Sequence, residues 1–203
     1  MATLLNTSKL DAVNSILIGT GEAPVNTLGS GLQEAEIAEV ILNNISREVQ
    51  SIGWTFNTDL RKTLGRNTAG NINLPANCLK VDVTSVLRDY DTDVVERGRK
   101  LYDRVTNSFV FTKDITTDIV ILLAFDELPE VARRYITLRA GRKYQENIIG
   151  SPALSQLQAD EEQIALMALR EAEAEIGDYN IFDHYDTYRH LDRNISAPSS
   201  TLI

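Results

Sequence analysis

The sequence predicts an α+β fold: a mainly helical four-helix bundle carrying a small inserted antiparallel β-region. Three observations predict it. Apolar residues recur at helical spacing at both ends, over residues 8–18 and 34–52 and again over 129–148 and 152–176. Between them, residues 54–127 change to short β-rich pieces separated by turn clusters such as Asn71-Ile72-Asn73-Leu74-Pro75. The corner Gly150-Ser151-Pro152 is so short that the helices it joins must run antiparallel. The expected organisation is one domain over residues 1–177 and a separate segment over 178–203.

Taken in order, Ser8-Lys9-Leu10-Asp11 reads as a capping box that starts the first helix, and Gly19 and Gly21 end it. Leu10, Val13 and Leu17 sit at helical spacing within it. The loop GEAPVNTLGSG follows. A phosphate-binding Gly-x-Gly-x-x-Gly would need glycine at Pro24 and a preceding strand, so nucleotide binding is rejected. The second helix carries Ile37, Ile41, Ile45, Val49 and Ile52 as a stripe, with Gly53 as its C-terminal cap. Trp54, the sole tryptophan, is read as a core residue.

In the middle, strands are expected at Thr55–Asn57, Lys80–Thr84, Asn107–Thr112 and Thr117–Phe125. The third helix starts near Pro129, where a missing N–H costs nothing. Ser151 caps the fourth, whose apolar stripe is Leu154, Leu157, Ile164, Ala168, Ala172 and Ile176. After Gly177, Tyr179, Phe182, Tyr185 and Tyr188 recur every third residue, so much aromatic area that the segment is expected to be tied down.

The last two helices differ sharply in charge. Over residues 128–148, five bases including Arg133, Arg134, Arg139 and Arg142 stand against two acids. Over residues 151–178, seven acids including Glu162, Glu171 and Glu175 stand against Arg170 alone. Such segregation points to packing, between helices or between subunits.

Composition excludes several classes. A net charge of −9 argues against holding nucleic acid by phosphate neutralisation. The single cysteine, Cys78, excludes an internal disulfide and a multi-cysteine zinc site. No secretory signal is expected at the N-terminus, and the longest apolar run, Ile119 to Phe125, is too short to cross a bilayer. Asp89-Tyr90-Asp91-Thr92-Asp93 opens like a calcium loop, but Val94 and Lys100 stand where glycine and glutamate are required. His184 and His190 with Asp183 and Asp186 match no standard metal spacing. No catalytic residue, metal or cofactor is expected, and the chain is read as a non-enzyme.

Several stretches together resemble the tail tubular protein A, or adaptor, family of short-tailed phages. They are the loop from Gly21 to Leu28, the run Ile41-Leu42-Asn43-Asn44-Ile45 continuing to Gln50-Ser51-Ile52-Gly53-Trp54-Thr55-Phe56-Asn57, Asp126-Glu127-Leu128-Pro129-Glu130, Gly150-Ser151-Pro152 and Asp178-Tyr179-Asn180-Ile181. The likeness covers about residues 10–182, is weakest through the central sheet and is absent from the final twenty.

The resemblance implies a virion protein of the tail that forms a head-to-tail connector. It would be a twelve-subunit ring between the portal and the tail nozzle (tubular protein B), with tail fibres attached nearby. DNA would pass through without specific binding, and no membrane would be involved. It also implies an extended C-terminal arm over 178–203, in which Tyr179, Phe182, Tyr185 and Tyr188 would reach the portal. In such a ring the basic Arg133, Arg134, Arg139 and Arg142 of one subunit would face Glu162, Glu171 and Glu175 of the next. The arm is where this sequence departs most from the family. A tail-associated glycan hydrolase is the alternative reading, since virion components meet host envelopes.

Overall fold

A computed structural model describes residues 6–83 and 92–176. Its elements run α1 (Lys9–Gly19), α2 (Gln33–Gln50), β1 (Thr58–Leu64), β2 (Cys78–Val83), β3 (Val94–Arg97), β4 (Lys100–Asp103), β5 (Ile115–Ile121), α3 (Glu130–Ile148) and α4 (Pro152–Ile176). Four helices thus bracket an antiparallel β-region inserted between α2 and α3, the α+β arrangement that the periodicity predicts.

The capping box forms: Ser8 N–H and its hydroxyl donate to the Asp11 carboxylate, and Asp11 N–H donates back to Ser8 Oγ. Those bonds hold the Asp11 carboxyl below its usual range. The start of α1 is also tied to the segment that leads into α3, because Lys9 N–H donates to Asp126 at 2.9 Å. Thr7 bonds Glu130 through both its N–H and its hydroxyl.

Helix α3 is the hub, packed by α1, α2 and α4. This explains why its sequence lacks a clean apolar stripe. Ala132, Tyr135, Ile136, Thr137, Ala140, Tyr144 and Gln145 are all buried, and they lie on several sides of the helix. Of these, Ala132, Tyr135, Ile136, Ala140 and Tyr144 form the helical core together with Val13, Leu17, Leu42, Val49, Trp54 and Leu169. A second core, of Leu64, Ile72, Leu74, Val81, Leu101, Phe111, Ile115 and Ile119, fills the β-region.

In the sheet, β5 lies between β1 and β2 and pairs antiparallel with both. As the central strand it buries residues on both faces, including Ile115, Thr117, Ile119 and Val120. Strands β3 and β4 form a separate hairpin. Its turn, Gly98-Arg99, has both residues at positive φ, 59° and 62°, the backbone that matches hairpin twist.

The two cores meet at a polar joint. Gln50, fully buried, accepts from Leu123 N–H at 2.8 Å and donates to Leu123 O at 3.1 Å. Asn57 donates to Gln50 O and to Ile121 O, both at 2.9 Å, and accepts from Trp54 N–H. Trp54 is buried, donates its indole N–H to Val49 O at 2.8 Å and stacks on Phe56. Gly53 sits at this joint with φ +86°, and a Cβ there would stand 3.0 Å from Val120 Cγ2.

Some expectations need correction. Thr55–Asn57 is a 3₁₀ turn, because the Asn57 amide caps Trp54 and closes the turn. Asn107–Thr112 is a loop: Asp103 receives bonds from Val105 N–H and the Thr106 hydroxyl, and Asn107 takes φ +54°. The last strand ends at Ile121, where Asn57 and Asn77 take up the carbonyls of Ile121 and Leu122. Strands β1, β3 and β4 were absent from the expected set. β1 is rich in charge and kinks at Arg61 (φ +53°), whose N–H bonds Asp118.

Candidate interaction surfaces

The opposite charges of α3 and α4 first meet within the chain. Arg142 Nε donates to Glu162 at 2.6 Å, and its Nη1 donates to Glu146 at 2.9 Å. Ser155, on the first turns of α4, donates to the same Glu146 oxygen at 2.8 Å. Arg139 reaches from α3 to Glu48 on α2 at 2.5 Å and lies 4.0 Å from Glu162 on α4. Glu162 raises the Arg142 guanidinium above its ordinary range. The Ser155 hydroxyl, with Arg142 and Lys143, lowers the Glu146 carboxyl.

Arg133 has a different task. It is buried, and its guanidinium donates to three backbone carbonyls: Leu128 O at 2.7 Å, Thr7 O at 2.7 Å and Asp126 O at 2.5 Å. Five fixed donors on a planar fork suit this work. It gathers the N-terminal segment and the entry to α3. Of the remaining candidates, Arg134, Glu171 and Glu175 stand exposed on the surface. Tyr179, Phe182, Tyr185 and Tyr188 lie outside the described residues, as do His184 and His190.

Sequence reasoning missed two features. Glu173 ties the end of α4 to the joint, accepting from Thr55 N–H at 2.6 Å and from the Thr55 hydroxyl at 2.9 Å. The second feature is which side of α4 is packed. Ala165 and Leu169 are buried and Gln158, Glu162, Leu166 and Glu173 partly so. Of the expected stripe, Leu154, Leu157, Ile164 and Ile176 are 45–66% exposed, joined by Met167 at 63%. The side that faces inward sets Ala165, Leu166 and Leu169 against the helical core and gives Glu162 and Glu173 partners on α3 and at Thr55. That leaves the larger aliphatics outside.

The β-region offers a smaller apolar tip. Val105 and Val110 are 52% and 60% exposed beside Phe109, which packs edge-on to Tyr102. Arg97 lies over the other ring of that pair, 3.8 Å from the Tyr102 centroid. A cleft of about 170 Å³ between α1, α3 and α4, lined by Ser15, Thr137, Arg142 and Gln158, is below the usual volume of a ligand pocket. Among the described residues no group of three acids, histidines or cysteines is placed to hold a metal ion. The features that stand out among the described residues are surfaces.

A family model described as tail tubular protein matches residues 10–179. Tail tubular protein A of Klebsiella phage KP34 is 27% identical over 165 residues, which span 80% of this chain and 86% of that protein. The match begins within α1, crosses the whole β-region and runs past the end of α4, taking in both cores and the joint between them. The chain belongs to the tail tubular protein family and is a structural component of the phage tail.

Proposed function

We propose that the chain is the ring-forming head-to-tail connector of its phage, seated between the portal and the tail nozzle. Twelve copies would enclose part of the channel through which DNA leaves, and tail fibres would attach near the junction with the nozzle. The observation that carries this reading is the family match across residues 10–179, joint and both cores included. Charge supports it further: a net −9 per copy gives a wall that repels phosphates at short range, favouring passage over sticking.

Within this reading the candidate contacts divide into two groups. Arg134, Glu171 and Glu175 are exposed and are assigned to the boundary between neighbouring subunits. Arg133, Arg139, Arg142 and Glu162 hold α3 and α4 in the shape that presents that boundary. Tyr179, Phe182, Tyr185 and Tyr188 are assigned to the arm that grips the portal, since aromatic side chains dominate well-packed interface centres.

Deleting residues 179–203 tests the arm. The shortened chain should keep the helical circular dichroism and thermal midpoint of the full chain and lose capture by immobilised portal protein at least tenfold. Undiminished capture would place the portal contact on the helical body.

A further inference from the structure

We propose that the outer face of the β3–β4 hairpin is a docking surface for the acidic side of α4 in the next copy of this chain. The inference deepens the connector reading and rests on it, naming what meets Glu171 and Glu175 across the boundary between copies. Cross-strand pairing sets Val95 opposite Tyr102 and Arg97 opposite Lys100. Val94 and Leu101 turn inward to the second core, so alternation sends Val95, Arg97, Lys100 and Tyr102 to the other side. Two cations directly opposite each other on a strand pair repel. Arg99, in the turn between them, adds a third exposed base. All three stand in a chain whose net charge is −9, and among the described residues none of them is held in an ion pair. The hairpin's own acids do not answer them. Glu96 lies opposite Leu101 on the inward side, and Asp103 is buried and receives the Thr106 hydroxyl. Asp93, at the far end of the hairpin, is ion-paired to Arg104 at 3.2 Å. Apolar surface adjoins the bases: Arg97 covers the Tyr102 ring, Phe109 packs edge-on to that ring, and Val110 is exposed. The face therefore fits a partner that offers carboxylates interleaved with aliphatics.

The outer side of α4 has that composition. At about 3.6 residues per turn, exposed Asp160, Glu161, Glu171 and Glu175 fall within about a third of the helix circumference, together with exposed Leu157 and Ile164. Arg170, the one base of the helix, falls outside that strip. Each carboxylate brought into a contact there needs a cation facing it, because an unpaired buried charge is costly. Within one copy α4 packs on α3 and the hairpin on β2, and both faces stay exposed. Two-fold pairing would set acids on acids or bases on bases, so unlike faces of the two copies meet. A heterologous contact of this kind generates a ring when its rotation closes. Residues 178–203 are a weaker match for the hairpin, because two arginines are interspersed with their four aspartates.

The test is zero-length cross-linking of purified phage tails with a carbodiimide, which joins a lysine amine directly to a carboxylate. The expected product is a covalent dimer of the chain in which Lys100 is joined to Asp160, Glu161, Glu171 or Glu175, mapped by peptide mass spectrometry and absent from the monomer band. The Lys9–Glu39 pair, 2.7 Å apart within one copy, reports that the reagent has worked. Lys100 joined to residues 178–203, to a different tail protein, or to nothing while Lys9 and Glu39 are linked, would overturn the proposal. As a second arm, Arg97→Glu with Lys100→Glu should leave circular dichroism unchanged and lower incorporation into tails at least tenfold. Adding Glu161→Lys with Glu171→Lys to that chain should raise incorporation again severalfold. Undiminished incorporation of the first variant would overturn the proposal, as would a loss that the exchanged charges do not recover, the outcome for a hairpin that holds nucleic-acid phosphates instead. Presence of the unmodified chain in purified tails reads the connector assignment separately. If the chain were absent from tails, the same cross-linking of the concentrated purified chain would still decide the contact.

Discussion

At the residue scale, Arg133 changes meaning most between sequence and structure. Its place in a basic run suggests a surface charge, and reversing it would be expected to weaken assembly. In the fold it is buried and satisfies the carbonyls of Leu128, Thr7 and Asp126. Arg133→Ala should therefore act on stability, costing about 3 kcal/mol if each stranded carbonyl costs roughly 1 kcal/mol. Urea unfolding followed by circular dichroism checks this, and an unshifted midpoint would show that the three bonds contribute nothing net. No sequence pattern marks an arginine that joins two nearby backbone carbonyls to a third, Thr7 O, more than a hundred residues away, because the signal lies in the tertiary contact. Trp54 is the opposite case. A lone tryptophan directly after a helix-ending glycine is legible as core, and its burial and bond to Val49 O agree.

At the element scale, the helices were legible and the short strands were not. Caps and corners carry their own chemistry: Ser8 with Asp11, Pro129 before α3, and Pro152 opening α4 appear where the residues place them. The hairpin of β3 and β4 is hidden because Glu96, Arg97, Arg99 and Lys100 mask any alternation, and its turn depends on a left-handed arginine. On α4 the helix is where the periodicity puts it, but the expected stripe faces outward; Ala165 and Leu169 pack instead, on the side where Glu162 and Glu173 find partners.

The corner between α3 and α4 gives this scale its prediction. Glu146 has a folded pKa below the unfolded value, so its ionised form contributes stability above the ordinary carboxylate pKa of 4.5, and that contribution is lost as pH falls through the folded value. Glu146→Gln should accordingly lower the thermal midpoint at pH 7, with the difference from the parent chain shrinking as the pH drops below about 4.5. Thermal melts of both chains across that range measure it. A difference that stays constant with pH would mean the Ser155 and Arg142 bonds do not depend on the charge.

At the scale of the whole molecule, the charge imbalance between α3 and α4 is partly settled inside one copy and partly left outside. Arg139, Arg142 and Glu162 settle the inner share through contacts that also brace α2. Arg134, Glu171 and Glu175 stay exposed, as do Leu154, Leu157, Ile164 and Met167 of α4. The sequence displayed the imbalance but could not divide it, because division depends on which way each helix is turned. The central claim is that copies close into a ring against the portal. Electron microscopy of the full chain mixed with the portal protein of the same phage tests it most directly. The account predicts an added ring of density on one end of the portal, one copy of the chain per portal subunit. Portals that emerge bare, or decorated by scattered single copies, would contradict it.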